Sequence, residues 1–238
     1  MNLVDIGLIF ITLLFGILGF KRGTFKTLIY LVAIIVVTVV SYEFKDFIGE
    51  LLMKFLPFIK FKGEFAGITS LNVLFYKGLA FLIVFAILML VIGILVKISG
   101  FLDLLVKATL ILEIPSKIIG LVLGLIEGVI ISFVISFALV QIPIPDNPVY
   151  ESKLAPIVLK KTPILSGIFK DSYNLNESLY KLIDEKLETL DSEEVNEEVL
   201  NALEKHGDIT KEDIKDIKEK GKEVLDKLVD KVKGEEND

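Results

Sequence analysis

Apolar positions crowd the first 142 residues and fall into four runs, at about 3–20, 24–42, 78–96 and 118–140. At ~1.5 Å of rise per residue, a helix through such a run crosses a hydrocarbon core of about 30 Å, so each predicts a transmembrane helix. The first run carries one charge, Asp5, near the end where it reaches the interface. The second is rich in Val and Ile, which in water favours strand. In lipid every backbone polar group must be satisfied within its own segment, and helix prevails. The short basic turn Lys21-Arg22-Gly23-Thr24-Phe25-Lys26 predicts that spans one and two form an antiparallel hairpin. The fourth run, IIGLVLGLIEGVIISFVISFALV, sets Gly120, Gly124 and Gly128 at every fourth position, on one helix face. A row without side chains lets a neighbouring helix approach closely, which makes this run the packing spine of the bundle. Gly16, Gly19 and Gly23 are expected to serve tight packing in the first hairpin, with a gating hinge as the alternative.

Between the spans the pattern turns amphipathic. Phe47, Ile48, Leu51, Leu52, Phe55 and Leu56 share one helical face, opposite Asp46, Glu50 and Lys54. This predicts a helix over 46–60, ending near Pro57, that lies in the membrane surface or packs as a connector on protein. Residues 101–114 repeat the pattern, with Asp103 and Lys107 as i, i+4 partners and Pro115 as the stop. The segment 141–148 holds three prolines and closes the span domain. Residues 151–170 are semi-apolar and are expected to pack back on the membrane surface. Charged helices are predicted over 174–190 and 192–205, with a break at His206-Gly207. Thr210 and Asp213 then read as a helix-start cap, with Ile209 and Ile214 as its staple. Ile214, Ile217, Val224, Leu228 and Val232 follow on one face of a helix that needs a partner: the preceding tail helices, a second copy, or nothing stable. The fold class is an all-α integral membrane protein: four transmembrane helices, short interfacial helices and a charged helical C-terminal tail. The expected organisation is a span domain at 1–142, a proline-containing linker at 143–173 and an acidic tail at 174–238.

Charge follows the same division. Residues 1–148 hold 11 of the 26 Lys and Arg and 9 of the 32 Asp and Glu, a net of +2, whereas residues 149–238 carry −8. The acidity therefore lies in the tail and gives no sign of nucleic-acid binding. The chain has no cysteine, which excludes disulfides, thiolate metal sites and cysteine nucleophiles. The N-terminal run lacks a basic n-region and a small-residue cleavage site, so it is expected to stay as an anchor.

Glu127 is the sharpest single residue, because a carboxylate at mid-span costs on the order of 2.5–3.5 kcal/mol on insertion scales. It reads as an ion or proton site lining a polar path, as a neutral acid facing the bundle, or as a structural partner for Arg22, Lys21 or a hydroxyl such as Thr12 or Thr38. Lys21, Arg22 and Lys26 read as topology determinants or lipid head-group contacts. Their density places the first turn in the cytoplasm and both termini outside. His206 is the only histidine and has no second ligand at metal spacing. Glu193, Glu194, Glu197 and Glu198 read as a solvated helix face. The sequence has no P-loop, dinucleotide glycine motif, nucleophile elbow or HExxH, so neither catalysis nor a cofactor or metal is expected.

Asp5, then Gly19-Phe-Lys-Arg22-Gly23, then Ile119-Gly120-Leu-Val-Leu-Gly124-Leu-Ile-Glu127-Gly128 occur in an order and spacing that resembles the CvpA family of bacterial colicin V production proteins, over roughly residues 1–142. The resemblance implies a four-span inner-membrane protein linked with bacteriocin production and, more loosely, with envelope maintenance. Some relatives carry a serine protease domain after the spans, on the outer side, which agrees with an outer tail here; this tail has no protease motif. Relatives often carry Arg just before the last glycine of the late motif, where Glu127 stands, so no role is carried over to that position. The expected function is a non-enzymatic scaffold or accessory factor in bacteriocin or toxin production, secretion or envelope upkeep. Its expected partners are the lipid bilayer, envelope or secretion proteins, or a second copy. The alternative is an oligomeric channel or small-solute transporter with Glu127 lining the path.

Overall fold

The computed structural model describes residues 2–61, 65–98, 113–143, 147–187 and 191–235; the side chains of 98, 113–114, 187 and 224–235 are not among those described. Among the described residues four helices are long and apolar enough to cross a membrane. They are α1 (Leu3–Arg22), α2 (Thr24–Phe55), α3 (Leu71–Ile98) and α4 (Glu113–Gln141). The described residues contain no strand.

The helix ends follow from local chemistry. Asn2 and Asp5 form a capping box that opens α1. Gly23 closes it at φ 75°, a left-handed value that L side chains rarely adopt, and α2 starts at the next residue. α2 then runs 32 residues to Phe55. The separate surface helix expected over 46–60 is therefore the last part of α2. Neither Gly nor Pro interrupts residues 24–48, and the charges at Lys45 and Asp46 pair with each other rather than bending the chain. The helix stops as expected before Pro57, with Leu56 extended. α3 starts at Leu71, ahead of the apolar run at 78, because Asn72 and Lys77 are buried among protein groups and do not need to leave the helix. Pro115 lies inside the first turn of α4, where its missing N–H costs nothing. Most of the amphipathic stretch 101–114, with Asp103 and Lys107, lies outside the described residues.

α1 packs chiefly on α4, antiparallel to it, and α2 packs on α3 and α4. α1 and α2 touch little, so the expected hairpin is opened around α4. Leu3, Phe10 and Ile17 on α1, and Ile87, Leu90 and Leu95 on α3, are exposed, as suits surfaces that meet lipid.

Residues 148–168 fold as three short helices, α5 (Pro148–Glu151), α6 (Ala155–Lys161) and α7 (Leu165–Ile168). They were expected to be a linker on the membrane surface, yet Val149, Ala155, Leu159 and Leu165 are buried in one core with Phe81, Phe133 and Phe137 of the spans. Phe169 anchors them. Its ring lies 4.2 Å from Tyr42, 4.6 Å from Phe137 and 5.0 Å from Phe133, joining α2 and α4 through one side chain. Edge-to-face aromatic pairs of this kind contribute about 0.5–1.5 kcal/mol each beyond their burial.

The tail folds as α8 (Lys170–Leu187), α9 (Ser192–His206) and α10 (Lys211–Glu235). Leu179, Ile183, Val195, Val199, Leu203 and Ile209 close a second core over Met53, Phe58, Leu74 and Tyr76, making a helical cap on the adjoining ends of α2 and α3. α9 ends at Gly207 (φ 82°). The Thr210–Asp213 box forms, with Thr210 N–H donating to Asp213 Oδ2 at 2.8 Å and Asp213 N–H to Thr210 Oγ1 at 3.2 Å.

Candidate functional site: an ion pair on a glycine seam

α1 and α4 meet along glycines from both helices. A Cβ on Gly120 would lie 2.5 Å from the Gly19 carbonyl oxygen, and one on Gly128 would lie 2.6 Å from Thr12 Cα. Gly19 and Gly124 face backbone in the same way, so the two main chains touch without intervening side chains. Gly16 differs, since its neighbour is the side chain of Leu125. Gly23 ends the row under Ser116, whose Oγ accepts from Thr24 N–H at 3.1 Å while its carbonyl accepts from Thr24 Oγ1 at 2.9 Å. The turn between α1 and α2 is thereby fastened to the start of α4.

Beside this seam Arg22 reaches Glu127. One guanidinium nitrogen donates to both carboxylate oxygens, at 3.0 and 3.2 Å, and Glu127 is 1 % exposed. Helical side chains lean toward their own N-terminus. In an antiparallel pair Arg22 therefore leans inward from the end of α1, and Glu127 leans outward from the middle of α4. Tyr30 of α2 places its ring 4.6 Å from the guanidinium carbon, giving the cation a second partner. Of the partners the sequence left open for Glu127, Arg22 is the one it meets. Thr12 bonds the Leu8 carbonyl at 2.8 Å and Thr38 bonds that of Ile34 at 2.7 Å. Lys21 is exposed and Lys26 half-buried at the same end of the bundle.

Two polar nodes lie at the opposite end, and the sequence reading singled out neither as a site. At the first, Asp5 is fully buried. Besides capping α1, its Oδ1 accepts from Ser152 Oγ at 2.5 Å and from the backbone N–H groups of Lys153 and Leu154 at 3.0 Å each. At the second, Lys77 of α3, 2 % exposed, donates to Asp46 Oδ1 at 2.8 Å, to Asp208 Oδ1 at 3.2 Å and to the Asp208 carbonyl at 2.5 Å. Lys45 joins through Asp46 at 2.9 Å and lies 4.6 Å over the Tyr42 ring. Two ammonium and two carboxylate groups balance, so the cap is tied to α2 and α3 by a neutral cluster. His206 Nδ1, 3.2 Å from Asp208 Oδ2, stands at its edge rather than in a free loop. Asn2 three residues before Asp5, and the single lysine in the first turns of α3, whose one other charge is Lys97 in its last turn, were the available sequence signals. Asp208, Ser152, Lys153 and Leu154, the partners that close the two nodes, lie 131 to 149 residues away along the chain.

The remaining expected sites are peripheral or turned inward. Glu197 pairs with Lys218 at 2.6 Å and Glu198 with Lys186 at 3.0 Å, on the surface of the cap. Ile217 is buried in the second core and Ile214 packs against it, so this part of the tail face is occupied by the chain itself. Lys220 donates to the carbonyls of Met53 and Lys54 and fixes α10 on the end of α2. The side chains of Val224, Leu228 and Val232 lie outside the described residues. Among the described residues no three His, Cys, Asp or Glu gather as metal ligands.

A family model described as colicin V production protein matches residues 4–163. The match passes the end of the last span and takes in α5, α6 and the Asp5–Ser152 node, reaching further than the motifs at residues 1–142. No curated protein and no solved structure matches the chain.

Proposed function

This chain belongs to the colicin V production protein family, and we propose that it acts as a non-enzymatic scaffold or accessory factor in bacteriocin production, secretion or envelope upkeep. The observation that carries this reading is that the intramembrane charges are spent on holding helices together. Glu127 pairs through both oxygens with Arg22 beside a seam with no room for a side chain. A carboxylate 1 % exposed and bonded through both oxygens has no open position for a passing ion, which favours the scaffold over the channel.

The protein is a multi-pass membrane protein; its placement in the bacterial inner membrane, with the cap and both termini on the outer side, is part of the proposal. Lys21, Arg22 and Lys26 gather at the end away from the cap. At the cap end, Lys45 and Lys77 are neutralised by Asp46 and Asp208, so these two lysines do not hold that end inside.

Removing the gene from a bacteriocin-producing host tests the reading. Toxin release or envelope integrity should fall and return with the full chain. Unchanged release and an intact envelope in the deletion strain, or solute flux from the purified protein alone in vesicles, would overturn it. Reporters after residues 23, 60 and 238 test the orientation: only the first should lie in the cytoplasm.

A further inference from the structure

An open cleft of about 450 Å³ lies between α5–α6 and one face of α8. Its walls are aromatic: Tyr150 from α5, with Tyr173 and Tyr180 from α8. Tyr173, Glu177, Tyr180 and Asp184 recur at helical spacing and form one stripe. The Tyr150 and Tyr180 rings lie 4.9 Å apart at 59°, giving two angled faces instead of a closed stack. Ring faces are electronegative and attract cations. Glu151, Glu177 and Asp184 outnumber Lys160 and Lys181 around the cleft, so its charge has the same sign.

The chain already places an ammonium here. Lys160 Nζ lies 5.0 Å from the centre of the Tyr173 ring and 3.5 Å from Glu177, and Lys181 lies 3.4 Å from the same carboxylate. Both contacts are long, and both lysines are more than half exposed; surface pairs of this kind hold weakly. The hydroxyl of Tyr173 is pushed up to about 12, first by burial and then by the charge of Glu177, and that of Tyr150 is raised by burial. Both rings stay neutral and present a face, not a competing charge.

We propose that this cleft binds an organic ammonium group, primary or quaternary, on an apolar stem. The ligand displaces Lys160 from Tyr173, pairs with Glu177 and rests its stem on Tyr150 and Tyr180. The cleft begins where α4 leaves the bundle, as Tyr180 Oη donates to the Ile142 carbonyl at 2.6 Å. Either a free amine or the ammonium head group of a membrane lipid could therefore supply the ligand.

The chain has six tyrosines and no tryptophan, and Tyr150, Tyr173 and Tyr180, half of them, line this cleft, so intrinsic emission from the full-length protein responds to its occupancy. In detergent, choline should change that emission saturably, whereas its uncharged isostere 3,3-dimethyl-1-butanol should not. Glu177→Gln should weaken choline binding about tenfold, and Lys160→Met, which removes the resident competitor, should tighten it by about threefold or more. A merely structural Lys160 would not give tighter binding. In nanodiscs of phosphatidylglycerol the choline response should persist. In phosphatidylethanolamine discs, loss of the response identifies the lipid head group as the occupant, and an unaltered response identifies a soluble amine; both support the site. Equal responses to choline and its isostere, no response in detergent or phosphatidylglycerol, or unchanged affinity in Lys160→Met would overturn it.

Discussion

Arg22 and Glu127 lie 105 residues apart in the chain and meet at 3.0 Å beside the contact of α1 and α4. Each explains the other's tolerance of its position. The carboxylate would be costly in lipid alone, and the guanidinium would otherwise turn back to the interface. The pair is asymmetric, with Arg22 27 % and Glu127 1 % exposed at the side chain. Arg22→Met should therefore be the more damaging change, since it strands the buried member. Losing one partner of a buried pair costs about 3–5 kcal/mol. Glu127→Gln should cost less, because Arg22 retains Tyr30 and a route to water. Thermal midpoints in detergent should fall in that order, and the double variant Arg22→Met/Glu127→Leu should recover most of the loss. A double variant no better than Arg22→Met alone would show that the pair is not the unit of stability.

The seam makes a graded prediction from three glycines of α1. Gly19→Ala drives a methyl group onto the backbone of α4, which cannot move aside, whereas Gly16→Ala meets only the flexible end of Leu125. Gly7 has nothing within 4 Å of an added Cβ, so Gly7→Ala should be neutral or stabilising by up to about 1 kcal/mol from helix propensity alone. The expected order of thermal midpoint is Gly7→Ala highest, then Gly16→Ala, then Gly19→Ala. Equal effects at Gly16 and Gly19 would mean the helices part easily.

How much of this was legible follows from what each feature depends on. The spans depend on local composition, and the apolar runs locate all four. Their ends depend on burial by distant segments, so Lys77 and Asp46 read as the limits of a span and as a surface face. Both instead lie inside long helices, where Lys77 pairs with Asp46 and with Asp208, the latter 131 residues after Lys77. Prolines marked residues 143–173 as a linker. The same stretch carries Val149, Leu159, Leu165 and Phe169, whose core partners are aromatic residues of spans two to four and cannot be identified from spacing. The tail helices and the Thr210–Asp213 cap were legible because amphipathic period and capping are short-range. Which surface the tail covers was not, since a period of 3.6 shows that a face needs burial without showing against what.

The Lys77 cluster predicts how the cap is held. Lys77→Met leaves Asp208 without its ammonium and Asp46 with Lys45 alone. The apolar core under α8 and α9 persists, so the chain should still fold. The loop at 207–210 should loosen, opening sites in α9 and α10 to proteolysis while α1 to α4 stay protected. Limited proteolysis of the purified protein, read by mass spectrometry, checks this. Cleavage as slow as in the unaltered chain would assign the docking of the cap to its apolar core alone.

Asp5 ties the start of α1 to the chain between α5 and α6. Its carboxylate caps α1 and accepts from Ser152, Lys153 and Leu154. Asp5→Asn keeps the size but turns half of the group into a donor, and Oδ1 faces three donors at once, so at least one buried N–H or hydroxyl loses its partner. An unsatisfied buried group costs about 1–3 kcal/mol, more when the lost acceptor was charged. Asp5→Asn should therefore lower the thermal midpoint and free the amides of Lys153 and Leu154, whereas Ser152→Ala removes one donor and should cost less. Hydrogen exchange separates this from a simple loss of the α1 cap. Release of Lys153 and Leu154 with α1 still protected is expected, and fraying confined to the first turn of α1 would show that Asp5 serves its own helix only.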